Sequence, residues 1–197
     1  MSYEIIVLFD GYSKNVEEGM LANCTCTLIK GPKNIIVDTM TAWDGDFLRD
    51  ALHAQNLQCS DIDYVICSHG HSDHIGCNYL FQNATHIVGH SISHKVTYYD
   101  HDFSSTEYQI DENIKVIATP GHTLQDVSVI VQKGNAIYAI TGDLFEKEED
   151  LEDDTIWRMA GSDDEKLQEF NRKKILGIAD YVIPGHGPMF KNKLKCT

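Results

Sequence analysis

Three imidazoles and a carboxylate fall within six consecutive positions of this chain, in Ser68-His69-Gly70-His71-Ser72-Asp73-His74, directly after the apolar run Tyr64-Val65-Ile66-Cys67. Neutral imidazole and carboxylate together suit Zn²⁺ and other borderline divalent ions. The glycine and serine between them let a loop bend sharply around a small space. Three later segments repeat the arrangement of an apolar run ending in a ligand-type residue. Ile117-Ala118-Thr119-Pro120-Gly121 delivers His122, Ile137-Tyr138-Ala139-Ile140-Thr141-Gly142 delivers Asp143, and Tyr181-Val182-Ile183-Pro184-Gly185 delivers His186. Such a chain is expected to fold so that several strand ends meet at one edge, where a rigid scaffold converges side chains from distant positions.

Strand-like runs rich in Val, Ile, Thr and Tyr occur at 3–9, 23–29, 34–38, 63–67, 85–88, 114–118, 126–132, 136–141 and 180–183. Most end at Gly, Pro, Asn or Asp. Helices are expected at 44–55 with Asp44 as N-cap, at 73–81, and at 163–177. The last opens on acids, closes on Arg172-Lys173-Lys174 and would stop at Gly177. Strands with a few interspersed helices predict sheets covered by helices. Residues 1–197 read as one domain without linker or repeat, long enough to bury a two-layer core. No apolar run reaches bilayer length, and Met1–Asp10 lacks the basic start of a signal peptide. The expectation is a cytoplasmic or nuclear protein that is neither secreted nor bound to a membrane. The six cysteines, at 24, 26, 59, 67, 77 and 196, form no Cys-x-x-Cys pair and read as free thiols. Cys24 and Cys26 would share one face of a strand.

The motifs His-x-His-x-Asp-His at 69–74, Pro-Gly-His at 120–122, Gly-Asp at 142–143 and Pro-Gly-His-Gly at 184–187 occur in the order found in the metallo-β-lactamase superfamily, which the chain closely resembles from about Asp38 to Gly187. The resemblance implies an α/β (α+β) fold, the αββα sandwich of two mixed β-sheets covered by helices. It also implies two divalent metal ions, best met by zinc, with iron and manganese open. His69, His71 and His122 would hold one ion. Asp73, His74 and His186 would hold the other, and Asp143 would bridge them. Asp73 would orient the nucleophile and pass on its proton. Asp38, closing the run Ile35-Ile36-Val37, is expected to accept the free N–H of a ligand imidazole. His53 is expected to face solvent from its helix, and His86, His90, His94 and His101 could line the cleft, with ordinary surface or core placement the expectation for each.

Within the superfamily the chain looks most like a branch described as endoribonucleases acting on histone pre-messenger RNA, which implies a hydrolase for single-stranded RNA. Tyr98, Tyr99 and His101 would then stack on bases, and the basic clusters at 172–174 and at Lys191, Lys193 and Lys195 would meet phosphates. The net charge of −14 speaks against a broad nucleic-acid surface, and residues 146–154 alone contribute −6. A glyoxalase-II-like thioesterase, another small-ester hydrolase, or a mononuclear iron persulfide dioxygenase is the alternative. Few residues follow His186, so the thioesterases' helical substrate domain is not expected here. A homodimer stays open.

Overall fold

Alternation along the strands builds this molecule, because inward and outward residues face different partners. The computed structural model describes residues 3–195. In chain order the elements are β1 (Glu4–Phe9), the hairpin β2 (Tyr12–Val16) and β3 (Gly19–Asn23), β4 (Cys26–Lys30), β5 (Ile35–Val37), α1 (Gly45–Ala54) and β6 (Tyr64–Cys67). They continue with α2 (Ser72–Ile75), β7 (Thr85–Val88), β8 (Ser91–His94), β9 (Thr97–Tyr99), β10 (Tyr108–Gln109), β11 (Ile114–Ala118), β12 (Val127–Lys133) and β13 (Ala136–Gly142). The chain closes with α3 (Thr155–Met159), α4 (Glu165–Ile178), β14 (Tyr181–Pro184) and β15 (Phe190–Lys191).

One sheet has the order β1-β4-β5-β6-β7-β8-β9 and the other β10-β11-β12-β13-β14-β15. Ile35, Val37, Ile66 and Ile87 of the first meet Val116, Val129, Val131 and Ile140 of the second. The residues in between point the other way. Leu28, Ile36 and Val65 pack under Leu48 and Leu52 of α1, together with Cys24 and Cys26. Ile130, Ala139 and Val182 pack under Ile175 of α4. Central strands buried on both faces are apolar throughout, and the layers run helix, sheet, sheet, helix. Both sheets are mixed: β5, β6 and β7 are parallel to one another, as are β13 and β14. The expected αββα sandwich is the fold found.

Three expectations about elements need correction. Residues 73–81 are not one helix: α2 ends at Ile75, and a short 3₁₀ turn follows at Asn78–Leu80. The amides of Gly76 and Cys77 bond to Met40 O at 2.8 Å and Thr39 O at 3.2 Å, so the loop after β5 takes the donors a helix would need. Asp44 sits at the N-cap of α1 without capping it, because its carboxylate accepts from Thr41 N and Asn23 Nδ2, each at 3.0 Å. Gly177 lies inside α4, which runs on to Ile178. The final carbonyls there are met by Asn192 Nδ2, at 2.7 Å to Leu176 O and 2.8 Å to Ala179 O, instead of by a glycine turn. The hairpin β2–β3 and strands β8, β9, β10 and β15 were not anticipated. Cys24, Cys26, Cys59, Cys67 and Cys77 are free, and Cys196 lies outside the described residues. Among the described residues no helix is long and apolar enough to cross a membrane.

Candidate metal centre

Strand direction decides where the ligand-type side chains go. Since β6 runs parallel to β5, and β14 parallel to β13, the segments after them leave the sheets at one end. There His69, His71, His122 and Asp143 each place a donor atom within 4.8 Å of the others, and Asp73, His74 and His186 do the same.

The ring nitrogens that face inward are selected by what the other nitrogens bond. His122 Nδ1 donates to Gly161 O at 2.7 Å, leaving Nε2 free. His186 Nδ1 lies 3.1 Å from Asn23 O and 3.2 Å from Tyr12 O, so the β2–β3 hairpin orients that ring. His74 Nδ1 is 3.0 Å from Asp38 Oδ2. Asp38 reaches it from a left-handed backbone, φ 57°, a conformation that Asp tolerates better than most residues. Asp38 Oδ1 also accepts the Ser68 amide at 2.7 Å, and the Ser68 hydroxyl lies 3.0 Å from His69 Nδ1. The expected partnership of Asp38 with a ligand imidazole is thus present in the geometry, and Ser68 joins it.

His71 Nδ1 stands 2.8 Å from His69 Nε2 and 3.1 Å from His122 Nε2. Tetrahedral binding of Zn²⁺ at 2.0–2.1 Å needs nitrogens about 3.3 Å apart, close to this spacing. Asp143 lies between the two groups. Its Oδ2 is 3.4 Å from His122 Nε2 and 3.3 Å from His186 Nε2, while its Oδ1 is 3.2 Å from His74 Nε2. His74 Nε2 and Asp143 Oδ1 are buried and make no hydrogen bond. Orphaned polar atoms of this kind are costly unless something satisfies them. Two divalent ions fit this donor set.

The electrostatics agree. Burial, reinforced by the neighbouring imidazoles, holds the pKa of His69 well below its usual value and lowers that of His71, so both are neutral donors. Burial also disfavours charge on His74 and His186, yet Asp143 prevails: His74 is pushed well up, with Asp38 helping, and His186 rises to about 9. Against its own burial, Asp143 is held far below the carboxylate range by His74, His186 and His69. The Asp143 carboxylate demands positive charge beside it.

Much of the support comes from Gln168 and Asn171, which sequence reading passed over, and from Arg172, which it assigned to phosphates. The buried face of α4 is polar: Gln168 Nε2 donates to Asp143 O at 3.0 Å, Asn171 Nδ2 to Pro120 O at 2.7 Å, and Arg172 Nη1 to Leu144 O at 2.7 Å. Polar side chains at the 3–4 spacing of an inward helical stripe were the available signal. Tyr98, Tyr99 and His101 are not brought to the centre. The cleft of about 390 Å³ above it is lined by His69, His71, Val88, Leu124, Gln125 and Asp163 among others. Tyr98 and Tyr99 stand 74% and 52% exposed on edge strand β9, and His101 packs on Phe103 and Tyr108. His86 and His94 contact backbone carbonyls and His90 stacks on Phe103, as expected of structural histidines.

Gly185 gives a steric test of the arrangement, since a Cβ there would overlap Asp143 Oδ1. Gly185→Ala is expected to displace that carboxylate and weaken metal binding roughly 10–100-fold, the range typical of a disturbed ligand support. Titration of the metal-free variant with Zn²⁺ checks this, and unchanged affinity would move Asp143 off the metal side of Gly185.

The family model of the metallo-β-lactamase superfamily matches residues 20–186. Metallo-β-lactamase domain-containing protein 1 of Xenopus laevis is 40% identical over 195 residues, covering 96% of this chain and 82% of its own. A structure from Thermotoga maritima, described as a candidate metallo-β-lactamase, superposes with a TM-score of 0.72 at 23% identity, covering 97% of this chain and all of its own. AidC, a dizinc quorum-quenching lactonase, superposes at 0.65 with 18% identity, covering 94% of this chain and 84% of its own. At such identities the two structures show the fold alone.

Proposed function

The chain belongs to the metallo-β-lactamase superfamily as a metal-dependent hydrolase, and we propose that its substrate is single-stranded RNA, cleaved at a phosphodiester. Two ions held by His69, His71 and His122 and by Asp73, His74 and His186, with Asp143 between, would supply an activated water near neutral pH and charge stabilisation for a phosphoryl oxygen. Asp73 is the ligand-type carboxylate that opens toward solvent, 19% exposed against 5% for Asp143. That exposure supports a role for Asp73 in orienting the attacking water and taking up its proton. His71, exposed at the cleft, would border the scissile bond of a substrate bound there.

The observation that carries the RNA reading is a pair of lysines beside the centre. A single strand needs positive charge that the protein has not already spent. The basic clusters expected to meet phosphates are largely engaged: Arg172 is buried against Asp150, Lys173 pairs with Glu169, Lys193 with Glu148 and Lys195 with Asp180. Lys14 and Lys147, like Lys174 and Lys191 of those clusters, have no carboxylate within ion-pair distance among the described residues. Both line a cleft of about 340 Å³ between the β2–β3 hairpin and α3, with Met20, Ile156 and Met159 as apolar surface. Ser13, on the same cleft, reaches Glu146 beside His186, so the cleft adjoins the centre. A phosphate on the lysines would lay its nucleobase on the methionines. The acidic stretch 146–154 opposes this less than its charge implies, because Glu146 and Asp150 are buried and Glu148 and Asp154 are paired.

Replacing Lys14 and Lys147 together with alanine should weaken binding of an RNA oligonucleotide and lower the slope of log affinity against log salt by about 1.4, at roughly 0.7 per phosphate contact. An unchanged slope would remove this cleft from RNA binding. A small ester, thioester or lactone is the second reading, favoured by Asp163 at the mouth of the central cleft, which repels a polyanion and leaves a neutral substrate indifferent. Turnover of lactones or thioesters by zinc-loaded protein, with single-stranded RNA left intact, would decide for it.

A further inference from the structure

Glu146 is a buried carboxyl that the seven ligand-type residues do not include. It is 2% exposed, yet its side chain accepts one hydrogen bond among the described residues, from Ser13 Oγ to Oε2 at 3.2 Å. A carboxylate has about four acceptor sites, and burying one with a single hydrogen bond is unfavourable unless a cation stands beside it or a proton neutralises it. Its backbone leaves it little choice of place. The amide of Glu146 donates to Asp150 Oδ2 at 2.8 Å, and its carbonyl accepts the His186 amide at 2.9 Å. Residue 146 is thereby tied to a ligand-bearing residue through the main chain. Donor atoms of Asp143, Glu146 and His186 all lie within 4.8 Å of one another.

We propose that Glu146 is a further carboxylate ligand of the centre, serving the ion on the His186 side, where Ser13 holds its second oxygen in place. The proposal rests on the dinuclear centre and is independent of the substrate. Its chemical consequence is selective. The His69, His71 and His122 side offers three imidazoles and Asp143, whereas the His186 side would gain oxygen donors from both Glu146 and Asp73. Oxygen ligands favour harder ions, so the second position should accept Mn²⁺ more readily than the first.

The test is metal titration of the stripped protein with Zn²⁺ and with Mn²⁺, read by calorimetry and by the electron paramagnetic resonance of Mn²⁺. Glu146→Gln keeps the shape and the acceptor for Ser13 while removing the charge. The first ion should bind as in the wild type, and the second should bind about 10–100-fold more weakly. Equal affinity for both ions in the variant and the wild type would overturn the assignment of Glu146 alone. A wild-type chain that takes up only one ion would overturn it together with the dinuclear centre. A measurement on the wild type covers the case of a variant that does not fold. With ¹³C-glutamate incorporated, loading of the second ion should shift a labelled carboxylate band in the infrared difference spectrum. No shift at that step would exclude a glutamate ligand.

Discussion

Asp143→Ala should reduce turnover on the order of 1,000-fold and lower the metal content from near two ions per chain toward one. Its two oxygens span both groups, lying 3.2 Å from His74 Nε2 and 3.4 Å from His122 Nε2. Without it, two like charges would face one another across a site of imidazoles with no carboxylate between them. The loss of one ion forfeits several kcal/mol of charge stabilisation, and each 1.4 kcal/mol is worth about a factor of ten in rate. Asp143→Asn separates shape from charge, since the amide fills the same space and keeps one oxygen donor. It should fold at least as well as the alanine variant and still fail to hold the second ion tightly. The fold itself should survive both changes, because the apolar layers do not include residue 143. Metal analysis after gel filtration, paired with circular dichroism and a turnover assay, checks these statements. Full occupancy with normal turnover in Asp143→Ala would remove Asp143 from the bridging position.

What could be read from the sequence and what could not divide along physical lines. The seven ligand-type residues were legible because each follows an apolar run, and a strand end is a fixed point in space. The sandwich was legible because Ile35, Ile36 and Val37, or Val129, Ile130 and Val131, send neighbours to opposite faces. The residues that aim the ligands were harder to find. Ser68 reads as a loop serine, although its amide and hydroxyl join Asp38 to His69. The β2–β3 hairpin has the polar sequence Tyr12-Ser13-Lys14-Asn15-Val16 without strand alternation, yet it supplies the carbonyl of Tyr12 to His186. Counting charge along 146–154 treated its acids as equivalent and solvated. Tertiary structure buries Glu146 and Asp150 and leaves Glu149, Glu152 and Asp153 outside. Charge runs carry no information about which member a distant arginine will claim.

That arginine should be the largest single contributor to stability outside the apolar layers. Arg172 is buried, and its guanidinium donates to Asp150 Oδ1 at 2.9 Å, Asp150 O at 3.0 Å and Leu144 O at 2.7 Å. It also lies over the rings of Phe145 and Trp157, at 4.2 and 5.1 Å from their centres. Arg172→Met keeps much of the apolar stem and removes every one of these bonds. Asp150 would be left as a buried charge without its partner, and breaking such a pair costs about 3–5 kcal/mol. For a chain of this length each kcal/mol lowers the melting temperature by about 2–4 °C, so a fall of roughly 6–20 °C is expected. The damage should spread toward the centre, because the Asp150 carboxylate also accepts the Glu146 amide at 2.8 Å. Gln168 still holds Asp143 O, however, so the first ion should bind nearly normally at temperatures below the new transition. Adding Asp150→Leu to Arg172→Met removes the stranded charge and should recover part of the loss, since a buried pair replaced by apolar side chains is often tolerated. Thermal unfolding of the wild type, the single variant and the double variant measures both effects. A loss below about 1 kcal/mol in Arg172→Met, the range of an exposed ion pair, would show that solvent reaches this pair and that α4 does not clamp the loop following Asp143.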